Sequence, residues 1–347
     1  MSERKICLWT VGCIILAIFS VAVITYFFSV FQLRSRRLFS GLNPRQYSSI
    51  ILRNFEFDSA IVGSSLSQGS KCSVFDSVFG GRSMKFTYAG ANLAEIQFTI
   101  EEMHKYRKIK RVVMDLPMGG LVCEQTLKQM PLDCYRGNFY FSYLKKSFTI
   151  NELIRSLNFF RRSLTGKIKY TTRDDIYDWN KRHACSEKNF ARDLLYNPYK
   201  KESFDGHALQ EAERNVKTFL LQTFRNYPEC EFLIFFPPFS MMYYRNVDLD
   251  SYVRMKRMCV DMLLNIPNVK IYDFETDFTV MQNFNNYKDL THYSGKINSY
   301  LLSEMGKDRH RMTAENKEKM LSVFLNGCKN YNYTETYNRL QKTYGKK

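Results

Sequence analysis

A serine-rich turn directly follows a short apolar run near the start of the chain. The run is SAIVG at 59–63, and the turn reads GSSLSQG at 63–69, which places Ser65 just beyond a predicted strand. A serine hydroxyl attacks an acyl ester only when a histidine removes its proton and a partner such as a carboxylate fixes the tautomer of that histidine. The turn therefore predicts a nucleophile, provided that the chain supplies these two partners.

The histidine and the carboxylate are both found in one short loop near the end of the chain. Of the five histidines, only His292 has an acid at close spacing in a loop after the last predicted strand, in the sequence Asp289-Leu-Thr-His292. A helix that Ser294 can cap begins directly afterwards. We therefore expect Ser65, His292 and Asp289 to form the chemical site.

Apolar runs rich in β-branched and aromatic residues alternate with segments of helical period between these two loops. Such alternation predicts a parallel sheet with helices on both sides, and five strands in this order fit a flavodoxin-like doubly wound α/β sheet of order 2-1-3-4-5. The predicted strands lie at 59–63, 84–88, 111–117, 231–238 and 269–274. Ligands should gather at the carboxyl ends of the first and third strands.

The serine turn at 63–69 and the loop that holds Asp289 and His292 resemble the conserved blocks of the SGNH (GDSL-like) hydrolase superfamily. The fold of that superfamily is a three-layer sandwich built on a sheet of this kind. Its first block reads Gly-Asp-Ser-Leu-Ser/Thr-x-Gly, and 63–69 match it except at Ser64. Its last block, Asp-x-x-His, is matched by Asp289 and His292. Its third block, Gly-x-Asn-Asp, has no counterpart, because the third strand ends in Asp115-Leu-Pro.

The resemblance implies a role for each matching residue. Ser65 would be the nucleophile, His292 the general base and Asp289 the acid that orients it. The backbone N–H groups of Ser65 and Gly90 would form the oxyanion hole. This mechanism needs neither a metal nor an organic cofactor.

Three further residues are predicted to contact substrate from the same edge of the sheet. Asn92 follows the second strand, and Pro237 and Pro238 end the fourth. A buried strand and a rigid turn explain the two prolines equally well.

A Gly-Ser-Ser first block behind a membrane anchor resembles the branch around the teichoic-acid D-alanylation protein DltD. This branch implies a serine esterase or O-acyltransferase that acts outside the cytoplasm on a cell-envelope polysaccharide or teichoic-acid-like polymer. An anionic or acylated glycan would then be the substrate, and a membrane acyl-transfer protein a possible partner. The alternative is a catalytically degenerate binding protein whose serine-rich turn holds a phosphorylated or anionic glycan, but it gives Asp289 and His292 no role.

The N-terminal segment is typical of a membrane anchor. Residues 6–31 contain no charge, and 26 helical residues span about 39 Å against a hydrocarbon core of about 30 Å. A cleaved signal peptide is the other interpretation, although its apolar stretch is usually shorter. Arg4 and Lys5 precede the span and four arginines follow it by position 45, so charge counting alone favours a cytoplasmic domain, whereas the family resemblance implies an extracytoplasmic one.

The chain has 347 residues, a net charge of +17 and 45% hydrophobic residues. This hydrophobic content is too high for a disordered chain. We expect an anchor at 1–40, an α/β domain at 41–305 with a helical insertion at about 116–206, and a polar tail at 306–347. The insertion and the tail each carry a net charge of +6. With an anchor present, this charge indicates anionic polymer or lipid rather than nucleic acid. Cys123 and Cys134 could close a disulfide or remain free thiols.

Overall fold

The computed structural model describes residues 2–136, 139–167, 170–181, 183–197, 199 and 204–345. The chain divides into two compact units. The first joins Met1–Phe55 with Lys128–Thr171, and the second joins Glu56–Leu127 with Thr172–Lys347. We call them the N-terminal unit and the sheet unit.

The secondary structure of the described residues is as follows. The strands are β1 Leu38–Phe39, β2 Ser59–Gly63, β3 Ser83–Thr87, β4 Arg111–Asp115, β5 Tyr170–Thr171, β6 Glu231–Phe236, β7 Val269–Asp273 and β8 Arg311–Met312. The α-helices are α1 Glu3–Arg34, α2 Pro44–Asn54, α3 Cys72–Phe79, α4 Leu93–Tyr106, α5 Gly119–Val122, α6 Phe139–Ser147, α7 Ile150–Leu164, α8 Glu187–Tyr196, α9 Gly206–Asn215, α10 Gln222–Asn226, α11 Leu249–Leu263, α12 Phe278–Met281, α13 Gly295–Gly306, α14 Lys317–Lys329 and α15 Tyr333–Tyr344.

The sheet unit is built on a mostly parallel sheet of order β3-β2-β4-β6-β7-β8. Strands β3, β2, β4, β6 and β7 run parallel. Numbered along the chain as the five predicted strands, they have the order 2-1-3-4-5 that the sequence predicts, and β8 pairs antiparallel with β7. All five residues of β2 are buried, which explains its apolar composition, because a strand covered on both faces needs no alternation. The parallel strands bring the carboxyl ends of β2 and β4 to one edge.

The C-terminal residues were expected to form a polar tail beyond 305, and this expectation is wrong. Residues 311–312 form the sixth strand of the sheet, and α14 packs against α11. The buried face of α14 consists of Leu321, Phe324 and Cys328, whereas Val323 is 42% exposed. A face of three residues on a charged helix is too narrow to stand out in composition.

The expected insertion at 116–206 divides between the two units. Residues 128–171 belong to the N-terminal unit, where β5 pairs antiparallel with β1 and the helices α6 and α7 pack on α1. The residues from Thr172 onward belong to the sheet unit. The N-terminal unit is therefore larger than the anchor of 40 residues that the sequence suggested.

Helix α1 is long and apolar enough to cross a membrane, as a span or as a signal sequence. Its 32 residues include the whole uncharged run at 6–31. The nine cysteines are in the thiol form, and Cys123 and Cys134 are not joined in a disulfide.

Candidate active site

The serine loop begins where β2 ends at Gly63. Ser64 precedes a short 3-10 turn, Ser65–Ser67, and its hydroxyl accepts a hydrogen bond from the N–H of Leu66. Ser65 is the first residue of that turn and is half-buried, while its neighbours on both sides are buried. A residue at the start of a helical turn has no partner for its N–H within the turn. The loop therefore presents both the Oγ and the N–H of Ser65 beyond the sheet edge.

Ser65, His292 and Asp289 form one continuous chain of contacts, as the sequence predicts. The Ser65 Oγ lies 2.8 Å from the His292 Nε2. The His292 Nδ1 lies 2.9 Å from Oδ2 and 3.0 Å from Oδ1 of Asp289. A neutral imidazole with its proton on Nδ1 can donate to Asp289 and accept the serine proton at Nε2. The residues thus have the geometry of a nucleophile, a base and an orienting carboxylate.

The Asp289 carboxylate is held in its ionised form. It accepts hydrogen bonds from the backbone N–H of His292 at 2.8 Å and of Thr291 at 3.0 Å. Burial alone would raise the pKa of Asp289, but the His292 ring and these N–H groups lower that pKa to about 2. The side chain of His292 is 29% exposed and that of Asp289 is 16% exposed, so solvent access decreases from base to acid.

The histidine loop is braced by the loop that follows β6. Tyr287 and Tyr293 pair across the histidine loop in an isolated antiparallel bridge. The Tyr287 hydroxyl donates to the carbonyl of Pro238 at 2.7 Å, and Ser240 donates through its N–H and its hydroxyl to the carbonyl of Leu290.

Pro237 and Pro238 are both buried. That they contact substrate stays a prediction. The carbonyl of Pro238 accepts the Tyr287 hydrogen bond and so helps to hold the loop that carries His292.

Asp115 occupies the position behind the serine loop. The Ser64 N–H and hydroxyl donate to its carboxylate at 3.0 and 2.6 Å, and the Ser67 hydroxyl also donates to it. Asp115 is fully buried, which raises its pKa although these hydrogen bonds oppose the rise. A Cβ atom on Gly63 would overlap the Asp115 carboxylate, so the glycine makes room for it.

Gly90 and Asn92 follow β3 at the same sheet edge. Gly90 is exposed, has a φ of +63° and has open space where a side chain would be. These features are compatible with the expected oxyanion role. Asn92 was expected to contact substrate, but both ends of its amide are engaged: the oxygen accepts from the Glu95 N–H at 3.0 Å, and the nitrogen donates to the Thr126 carbonyl at 2.9 Å. Asn92 is the N-cap of α4.

Trp179 is a site residue that the sequence interpretation missed. Its indole N–H donates to the carbonyl of Ser65 at 2.9 Å. Its ring meets the His292 ring edge to face, with 5.6 Å between centroids. The Lys288 Nζ lies 3.8 Å from Oδ2 of Asp289 and 5.6 Å from the centre of the Trp179 ring. One side chain therefore contacts both the nucleophile's backbone and the base.

Residues 173–180, which we call the Trp179 segment, are linked by hydrogen bonds to the residues that follow the serine loop and the histidine loop. Lys85 is fully buried and donates to the carbonyls of Gln68 and Asp174 at 3.0 and 2.7 Å, and burial lowers its pKa to about 8. The Asn180 side chain accepts the N–H of Gly295 at 3.1 Å. This contact caps the start of α13, where the hydroxyl of the expected cap, Ser294, makes no capping bond.

Comparisons with known proteins identify no family for the chain. No family model matches it, and no curated protein matches it. Among solved structures, a chain described as a "putative platelet activating factor from Streptococcus pneumonia" is similar at a TM-score of 0.40 and 11% identity. The match covers 76% of this chain and 90% of that one. In the part of the chain that the structure describes, no three His, Cys, Asp or Glu side chains are grouped to hold a metal ion.

Proposed function

We propose that this protein is a membrane-anchored serine esterase or O-acyltransferase of the SGNH type, with a flavodoxin-like catalytic domain. The observation that carries the proposal is the contact chain from the Ser65 Oγ through His292 to Asp289, with distances of 2.8 and 2.9 Å. Any one of these residue types is common on a protein surface. Their occurrence in this order, each at hydrogen-bond distance from the next, supports nucleophilic catalysis.

The mechanism follows from the hydrogen bonds. His292 accepts the Ser65 proton at Nε2 while the Oγ attacks the carbonyl carbon of an acyl ester. The imidazolium that forms is stabilised by Asp289, which stays ionised because its pKa is about 2. The N–H groups of Ser65 and Gly90 stabilise the oxyanion. His292 then returns the proton to the departing alcohol, which leaves an acyl group on Ser65.

The second half of the reaction decides between hydrolysis and transfer. Water or a sugar hydroxyl attacks the acyl-enzyme, and His292 removes its proton. Both outcomes use the same residues, so the proposal covers an esterase and an acyltransferase. Transfer to a polymer would be consistent with a membrane acyl-transfer protein as a partner.

The substrate that we propose is an acylated or anionic cell-envelope polysaccharide. The resemblance of a Gly-Ser-Ser first block behind an apolar N-terminal segment to the DltD branch supports this class, and so does the net charge of +17. We further propose that α1 remains as a membrane span and that the catalytic domain lies outside the cytoplasm. Alkaline phosphatase fused after residue 347 should be active in cells, and activity of a cytoplasmic reporter alone would contradict this orientation.

A serine-reactive fluorophosphonate tests the proposed catalysis directly. The wild-type chain should be labelled on Ser65, as located by peptide mass spectrometry, and Ser65→Ala should abolish the labelling. His292→Ala should reduce the labelling rate strongly, because no base then removes the proton. Ser77→Ala changes an exposed serine on α3 and should leave labelling unchanged.

Two outcomes would contradict the proposal. Labelling that persists in a correctly folded Ser65→Ala variant would remove Ser65 as the nucleophile. A wild-type chain that thermal denaturation shows to be folded, yet that is never labelled, would favour a binding protein. The thermal midpoint of each variant serves as the control for folding.

A further inference from the structure

Helix α1 is covered over only part of its apolar length. Residues 2–20 are exposed, residues 21–24 are half-buried, and Thr25 is fully buried. The uncharged run continues to Phe31, so the covered part overlaps its last 11 residues. At 1.5 Å per residue this overlap is about 16 Å, or about half of a hydrocarbon core.

The overlap is covered by helices of the N-terminal unit, chiefly α6 and α7. Phe159 of α7 packs against Phe28 and Phe31 of α1, with ring centroids 4.4 and 5.4 Å apart. Ser156, three residues earlier on α7, is fully buried. Helix α7 thus packs beside the C-terminal end of the apolar run of α1, which lies at the bilayer boundary if α1 is a span.

A second apolar side of α7 has no cover within the described residues of the chain. Its exposed stripe consists of Ile150, Ile154, Leu157, Phe160 and Leu164, which are 76, 52, 42, 45 and 73% exposed. Spacings of three, four and seven residues place them along one side of the helix. Arg161, four residues after Leu157, is exposed on the same side, where a long basic side chain can cover apolar surface with its stem and extend its charge to the headgroups. An exposed apolar stripe of this kind marks a contact with a membrane or another protein.

The opposite side of α7 is polar and basic. Asn151, Arg155, Asn158 and Arg162 follow one another at spacings of three and four residues. Arg155, Asn158 and Arg162 also line a cavity of about 360 Å³ beside Phe39 and Gly41. A helix with an apolar stripe and an arginine-bearing face is typical of segments that lie at a membrane surface.

We infer that α7 is a second membrane contact, lying at the bilayer boundary beside α1. Its stripe would contact lipid acyl chains, and Arg155 and Arg162 would contact anionic headgroups. The inference rests on the part of the proposed function that makes α1 a membrane span, and it is independent of the chemistry at Ser65. Lipid is the occupant that we propose because α7 packs on the apolar run of α1 itself.

Fluorescence quenching in proteoliposomes tests this inference with the full chain. Cys7, Cys13, Cys123 and Cys185, the cysteines that are not buried, are first replaced by serine. An environment-sensitive dye is then attached at Ile154→Cys or Leu157→Cys in vesicles of phosphatidylethanolamine and phosphatidylglycerol. Asn158→Cys, on the polar side of the same helix, is the matched control. Phe19→Cys on the exposed part of α1 reports the span.

Acyl-chain nitroxides should quench the dye at 154 and 157 at least threefold more than at 158. Aqueous iodide should give the reverse order. Quenching at Phe19→Cys without quenching at 154 and 157 would overturn the inference and leave the anchor intact. Absence of quenching at every position, Phe19→Cys included, would overturn both the membrane contact of α7 and the membrane span of α1. Fluorophosphonate labelling of Ser65 tests the catalytic proposal separately.

Discussion

The hydroxyl of Ser64 at the end of β2 donates a 2.6 Å hydrogen bond to Oδ2 of Asp115 at the end of the neighbouring strand β4. At these two positions the sequence departs from the SGNH blocks, which have Asp after the first glycine and a different third block. In the structure, the residues at these two positions contact each other through this hydrogen bond. The carboxylate behind the serine loop of this chain comes from β4.

Exchange of these two residues tests that relationship. Asp115→Ser should lower the free energy of unfolding by about 1–3 kcal/mol, because Ser64 and Ser67 lose a buried hydrogen-bond acceptor. Ser64→Asp should also be destabilising, since it places two carboxylates in buried contact. The double variant Ser64→Asp/Asp115→Ser should recover at least half of the summed loss in urea denaturation. A loss equal to the sum of the single variants would mean that the positions are independent.

Gly63, which borders Asp115, and Gly90, which has open space around it, form a matched pair of glycines for substitution. Gly63→Ala should cost about 3 kcal/mol of unfolding free energy, because its Cβ would overlap the buried carboxylate. Gly90→Ala has open space and only the strain of a positive φ, which costs about 1 kcal/mol. Thermal denaturation of both variants measures the difference. Equal losses would mean that the contact with Asp115 does not constrain Gly63.

The sequence predicted those parts of the site that local patterns specify. The turn after β2 and the pair Asp289 and His292 each lie within a few residues, and apolar runs set the order of the five parallel strands. Trp179 had no such signal, because it reaches the site from a segment that rejoins the sheet unit at Thr172 after an excursion into the other unit. The roles of Asn92 and Pro238 also depend on long-range contacts, with Thr126 and Tyr287.

Trp179→Phe should slow fluorophosphonate labelling of Ser65 by about threefold to tenfold. The phenyl ring retains an aromatic contact for His292 but loses the hydrogen bond to the Ser65 carbonyl, and a neutral hydrogen bond contributes about 1 kcal/mol. Trp179→Ala should slow labelling further, since it also removes the contact with His292. Trp9→Phe, on an exposed part of α1, is the control and should leave the rate unchanged. An unchanged rate in Trp179→Ala would show that the indole does not position the site.

The low pKa of Asp289 predicts how the stability of the site depends on pH. A carboxyl whose pKa falls from 3.8 to about 2 on folding stabilises the folded state at pH values above about 4, and this contribution disappears as the pH falls toward 2. At 1.36 kcal/mol for each pKa unit, it is about 2 kcal/mol. Asp289→Asn should therefore be less stable than wild type by about this amount at pH 7, and the difference should shrink between pH 4 and 2. Urea denaturation across this range measures it, with Asp250→Asn, a 65% exposed aspartate, as the control that should show little change at any pH. A difference that stays constant down to pH 2 would mean that Asp289 acts through packing rather than through its charge beside His292.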